Sequence, residues 1–400
     1  MNVVVEGEEL AVSAVAERLG AYFRQRRQDF VAFLQQLVGL ESPSLEPRTL
    51  EPVLRLLADA LRSLDFHVVW LPGRQTGGHL YARPARRVRG QACQLLLGHC
   101  DTVWPRGTLQ RMPVMVEDGR MKGPGVFDMK GGVAQIIFAL QAMRDLGLEA
   151  SVTPVVLFTS DEEIGSLESK RHIERLARVA DRALVLEPAL GRTGKIKTRR
   201  KGCGEFEITI KGKASHAGLA PEEGASAILE LTYVVQKLFA LNDPARGVSV
   251  NVGTLDGGIR TNIVAPESRI TVDVRAPTAD DARRIEEAIR TLEPTTPGVA
   301  LEIEGRFDRP PLERTPRNQA LWEVYRDLGR VVGLDLEEGL SGGASDGNFT
   351  SIHTATLDGL GPVGDGAHAY HEFIHVEKTL ERCTLLTLLL TTPSLSNCKL

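Results

Sequence analysis

Thiols are scarce. Five cysteines, Cys93, Cys100, Cys203, Cys383 and Cys398, are scattered through 400 residues. Their odd number and wide spacing fit reduced thiols better than a disulfide framework or a thiolate zinc site. An excess of positive charge is also missing. The formal net charge is −4 and the basic stretches at 83–89 and 199–201 are short, which argues against a nucleic-acid binder. No run approaches the roughly 20 apolar residues that a membrane span needs. The opening MNVVVEGEEL lacks a basic segment, an apolar stretch and a small-residue cleavage site, so no secretory signal is read and the expected location is the cytoplasm. Internal repeats and low-complexity segments are absent too.

What is present reads as a folded globular chain, with 42% hydrophobic and 25% charged residues. A chain this long exceeds what one core comfortably supports, so two domains are expected. Amphipathic patterns at 12–40 and 49–64 predict helices, followed by strands at 66–70 and 94–98. Across 129–146, Val133, Ile136, Ile137, Leu140 and Met143 share one helical face, whereas 153–159 and 183–186 read as strands buried on both sides. These predict an α/β domain with a mostly parallel sheet wrapped by helices. From 202 the order becomes β-α-β-β-α-β: strands at 205–211, 248–255, 269–275 and 300–305, helices at 225–241 and 280–292. That order predicts a ferredoxin-like α+β domain inserted over 202–312. The first domain then comprises 1–201 and 313–400, with helices at 318–332 and 378–390 and a frayed tail over 391–400.

Imidazoles and carboxylates stand at the ends of apolar runs. His99 follows the apolar strand in LLLGHCDTVW, and Asp101, on the same side of the chain, can accept its second ring N–H; alternation turns Cys100 away into the core. Asp128 opens the helix after GPGVFDMKGG, where it could equally be an N-cap, but Gly123, Gly125, Gly131 and Gly132 allow close backbone approach around a buried ion. Glu162 and Glu163 follow the strand at 153–159. Adjacent side chains diverge there, so one carboxylate can bind metal while its neighbour handles a proton. Glu187 in LEP ends the next strand, at the carboxyl edge where open sheets gather ligands. In GAHAYHE and just beyond, His368, His371 and His375 compete for one further position, and spacing does not decide among them. His216 in GKASHAG lies far along the chain and could donate to an oxyanion.

In order, GHCDTV, GPGVFDMKGG, TSDEEIGS, LEP, KASHAG and GAHAYHE resemble the co-catalytic di-zinc metallopeptidase family. That family contains bacterial glutamate carboxypeptidases, aminoacylases, acetylornithine deacetylase and succinyl-diaminopimelate desuccinylase. The resemblance implies two Zn2+ per subunit, replaceable by Co2+ or Mn2+. It implies His99 and Glu187 on one ion, Glu163 and His368 on the other, and Asp128 between them, with Glu162 as general base. His368 and Glu372 match the family's spacing of a His and a Glu four positions later, with His371 where an acidic residue is usual. The resemblance also implies a cis peptide after Asp128, and a homodimer formed through the inserted domain, lending His216 to the partner. It further implies substrate-carboxylate binding by Asn262 in TNIVAP, Arg275 in DVRAP and Arg309 in DRPP. Gly342 and Gly343 in SGGASDGNF would line the pocket through backbone groups.

The expected chemistry is hydrolysis of a linear amide. A metal-bridging water loses its proton to Glu162, attacks a carbonyl polarised by the ions and His216, and Glu162 returns the proton to the leaving amine. The segments LSGGASDGNF and GLGPVGDGAH resemble the glutamate carboxypeptidase branch, so the first expected reaction is release of a C-terminal amino acid such as glutamate. Deacylation of an N-acyl amino acid is the alternative within the class. A non-catalytic relative that binds peptides or oligomerises is the alternative outside it; loss of Glu162 or of a ligand would favour that reading, and all are present.

Overall fold

The structure, a computed structural model, describes residues 6–86 and 90–395. Cys398 and residues 87–89 of the basic stretch lie outside them. Two compact units emerge: Met1–Thr198, Arg314–Leu340 and Ser345–Leu400 form the larger, and Arg199–Glu313 with Ser341–Ala344 the smaller. Residues 341–344 therefore depart from the expected boundary, which left them in the first domain. The reason is local: Lys201 N donates to Ser341 O at 3.0 Å, and the Arg200 guanidinium donates to Gly343 O and Ala344 O at 3.0 and 3.2 Å.

The larger unit is built on a six-stranded sheet in the order Phe66–Leu71, His79–Pro84, Thr153–Thr159, Cys93–His99, Ala180–Val185, Ala355–Leu357. The last four run parallel, but the first two pair antiparallel, so the sheet is mixed. Strand His79–Pro84 escaped the sequence reading because it is short, opens on a histidine and closes on a proline. Alternation divides the central strand between two layers. Leu96 joins the main core with Val156, Phe158 and helix Gly131–Asp145, and Leu95 and Leu97 pack with Leu157, Val185 and Phe349 on the other face. Each such fully buried aliphatic side chain contributes about 1.5–3 kcal/mol. The pattern at 12–40 resolves into two helices, Glu6–Gln25 and Arg27–Gly39.

The frayed tail is a second correction over its described part. Helix Val376–Thr391 is followed by residues held in place: the buried Arg182 guanidinium donates to Thr392 O and Pro393 O at 3.1 Å each, and Asp181 accepts from Leu395 N at 3.2 Å.

The smaller unit runs Gly202–Lys211, Ala227–Phe239, Ser249–Gly257, Glu267–Ala276, Ala279–Arg290, Ala300–Arg309. Its sheet has the second strand at one edge, then the third, first and fourth, all antiparallel, which is the ferredoxin-like arrangement. Phe206, Ile208 and Ile210 meet Leu231, Val234 and Ile285 in a separate core.

Candidate metal centre

Three parallel strands lie side by side, and each ends at the same edge of the sheet. His99 is the last residue of its strand and pairs in register with Thr159. Just beyond Thr159 come Asp161, Glu162 and Glu163, and just beyond Val185 comes Glu187. The strands are buried on both faces over most of their length, and their parallel pairing delivers these polar residues together at the carboxyl ends.

Asp128 arrives from a different element. It has extended dihedrals (φ −114°, ψ 97°) and, together with Met129, interrupts the helical turn, and the Asp128–Met129 peptide is cis. The helix behind it presses closely on the strand that leads to Glu187: a Cβ on Gly132 would stand 1.8 Å from Leu186 O. Glycine is required there by proximity. His368, with φ +60°, sits at the tip of a loop between the short paired strands Gly364–Asp365 and Phe373–His375.

The two carboxylate oxygens of Asp128 face two different histidines. Oδ1 lies 3.2 Å from His99 Nε2, and Oδ2 lies 3.4 Å from His368 Nε2. His99 Nε2 is also 3.5 Å from Glu187 Oε1, and His368 Nε2 is 3.2 Å from Glu163 Oε2. Bonds of 2.0–2.1 Å to a tetrahedral ion put neighbouring donor atoms about 3.3 Å apart, so both sets have the spacing of a metal shell. Ligand atoms of His99, Asp128 and Glu163, and separately of His99, Glu162 and Glu187, all fall within 4.8 Å of one another. The buried Glu163 Oε1 has no hydrogen-bond partner. An orphaned acceptor among carboxylates fits a cation.

Electrostatics agree. Burial lowers the affinity of His99 for a proton, but Asp101, Asp128 and Glu187 outweigh it and raise its pKa well above the ordinary value. Asp128 and Glu163 push His368 up to about 10. Burial works to raise Asp128, yet the two imidazoles hold it low, whereas burial raises Glu163. The carboxylates draw positive charge onto both rings, and a divalent ion supplies that charge while displacing the protons.

The supports are equally specific. His99 Nδ1 stands 3.0 Å from the Asp101 carbonyl oxygen and 3.4 Å from its carboxylate, so the main chain, closer than the expected side chain, can orient the ring. The Asp101 carboxylate accepts from the backbone N–H groups of Glu162 and Glu163 at 3.4 and 3.2 Å, and from Ser44 Oγ at 2.7 Å. Cys100 turns away and donates to Thr159 O. The sequence reading passed over Ser44, Asp346 and the role of Glu372. Asp346 accepts from Thr159 Oγ1 at 3.1 Å and from Ser166 Oγ, at either end of the turn that carries Glu162 and Glu163. Its only signal was its place in SGGASDGNF. Of the three C-terminal histidines it is His368 whose ring faces Asp128 and Glu163; the His375 ring packs on Phe373.

The remaining candidates belong to the smaller unit. His216 is exposed, and its Nδ1 accepts from Gly218 N and Leu219 N at 3.2 Å each, which leaves the proton on Nε2. Ala217 N donates to Asn262 O at 3.0 Å, so the His216 and Asn262 loops adjoin. Arg275 is engaged bidentately by Asp273 at 2.8 and 2.9 Å, the ion pair that competes with a substrate role. Arg309 is 5% exposed, and both arginines stand opposite Cys203 in the sheet register. Gly342 and Gly343 are exposed.

Residues 95–392 match Peptidase family M20/M25/M40, and the chain belongs to that family of metal-dependent peptidases and amide hydrolases. It is 28% identical over 348 residues to carboxypeptidase G2 of Pseudomonas sp. (strain RS-16), covering 84% of this chain and 82% of that one. It is also 28% identical over 372 residues to acetylornithine deacetylase of Myxococcus xanthus, covering 88% and 94%. Aminopeptidase PepT from Bacillus cereus superposes with a TM-score of 0.76 at 21% identity, over 91% of this chain and 98% of that one.

Proposed function

We propose that this hydrolase is a two-metal carboxypeptidase that releases a C-terminal amino acid, glutamate first among them. The observation that carries the two-metal reading is Asp128, whose two oxygens each face a different histidine. His99 and Glu187 would hold one ion, Glu163 and His368 the other, with Asp128 shared. Bound there, zinc supplies the Lewis acid that polarises an amide carbonyl and acidifies water.

The chain's own residues do the rest. Glu162, with a carboxylate oxygen within 4.8 Å of His99 and Glu187 ligand atoms, accepts the proton of the attacking water and delivers it to the leaving amine. His216, protonated on Nε2, donates to the developing oxyanion. Arg309, Arg275, Asn262 and the backbone of Gly342 and Gly343 receive the substrate's carboxylate end. Replacing Glu162 by Ala should abolish turnover with zinc content unchanged; retained activity rejects the assignment.

Carboxypeptidase action is supported by the likeness of LSGGASDGNF and GLGPVGDGAH to the glutamate carboxypeptidase branch. Similarity to acetylornithine deacetylase at equal identity favours the second reading, N-acyl amino acid deacylation. N-blocked dipeptides against N-acyl amino acids, scored for released amine with zinc or cobalt loaded, separate the two.

The partner proposed for the smaller unit is a second copy of the chain. Its edge strand Ser249–Gly257 leaves Leu255 68% exposed, and the helix Ala227–Phe239 exposes Ile228, Leu229 and Phe239. An edge strand that is unpaired among the described residues, beside apolar side chains, suits pairing across a two-fold axis, with His216 acting in the partner's site. Light scattering should give twice the 43.6 kDa chain mass.

A further inference from the structure

Glu372 is fully buried, and its carboxylate is saturated with N–H donors. Oε1 accepts from Phe127 N at 2.8 Å and Asp128 N at 3.0 Å. Oε2 accepts from Gly125 N at 2.9 Å and Trp104 Nε1 at 3.1 Å. Three of the four donors are consecutive or near-consecutive main-chain groups of the turn that presents Asp128. The same residue closes the loop that presents His368: Ala369 N donates to Gly366 O, and Glu372 N donates to Ala369 O, at 2.9 Å each. One side chain therefore joins the base of the His368 loop to the backbone of Asp128.

We infer that Glu372 is a positioning residue that sets the separation of Asp128 and His368, and so the affinity of the site for the ion between them. This rests on reading those two residues as ligands. Only a carboxylate suits the position. Each oxygen accepts two N–H groups, and an amide in its place turns an NH2 against two buried donors. Aspartate retains the charge but withdraws it by roughly 1.5 Å, one carbon–carbon bond, and the loop must follow or the hydrogen bonds break.

The test is zinc binding by chelator competition, with folding followed by far-UV circular dichroism. Glu372→Gln should bind zinc about 10- to 100-fold more weakly than the parent, and raised free zinc should restore its turnover, which a merely structural role would not produce. Trp104→Phe removes one of the four donors without touching a ligand and should weaken zinc binding by less. A folded Glu372→Gln with parental zinc affinity overturns the inference. Should Glu372→Gln fail to fold, Trp104→Phe decides, and unchanged affinity there overturns it. A parent chain that binds no zinc at all instead removes the ligand reading beneath it.

Discussion

At the scale of single residues, the site is a set of oriented groups, and orientation is where substitutions should act. Asp101 takes two backbone N–H groups and one hydroxyl on its carboxylate, all donors, so an amide in its place must oppose at least one of them. Asp101→Asn is expected to lower kcat by about 10- to 100-fold and to loosen the turn carrying Glu162 and Glu163; steady-state kinetics with zinc titration checks this. Legibility in the sequence followed from the same physics. His99, Glu163 and Glu187 were assigned through the resemblance of their motifs to a known family; the buried strands marked only the polar clusters at their ends, without choosing among them. Asp346 and Ser44 were not, because a serine or aspartate in a loop is ordinary until its partner, far along the chain, is known. Glu372 stood out only for its spacing from His368, since three backbone N–H donors and one indole leave no trace in a sequence.

At the scale of elements, two contacts carry more than their length suggests. Arg182, fully buried in a strand, donates to Leu389 O and Thr392 O at the end of helix Val376–Thr391, as well as to Gln94 Oε1. A cation on these last carbonyls satisfies groups a helix cannot satisfy itself. Arg182→Met should destabilise the larger unit by about 3 kcal/mol, measured by denaturant unfolding. In the smaller unit, buried Glu230 accepts from Thr295 N and Thr296 N. Burial raises its pKa, but these bonds outweigh it and hold the folded value below the ordinary one. The sign follows: its stabilisation is present above the unfolded pKa and is lost as pH falls through the folded value. Glu230→Gln should therefore cost about 1–3 kcal/mol near neutrality and flatten the acid limb of stability against pH. Strand His79–Pro84 and the break at Arg26 stayed hidden for an element-scale reason: neither the short strand nor the joint between helices disturbs a hydrophobic period enough to be seen.

At the scale of the whole chain, the proposed ligands come from positions 99, 128, 163, 187 and 368, all within the larger unit. No unfolded chain holds five such distant groups together, so any ion bound there stabilises only the folded state. The gain follows mass action: about 2.7 kcal/mol per ion at a free concentration one hundred times Kd. The smaller unit supplies none of these ligands and has a separate core. Unfolding followed by calorimetry should consequently respond unevenly to chelation. The transition of the larger unit is expected to fall by several degrees when zinc is removed and to return on adding it, and the transition of the smaller unit should hold its position. A merged transition would be resolved by hydrogen exchange, with protection lost first in the strands Cys93–His99 and Thr153–Thr159. Equal loss across both units, or none in either, would contradict the assignment of the ligands to one unit.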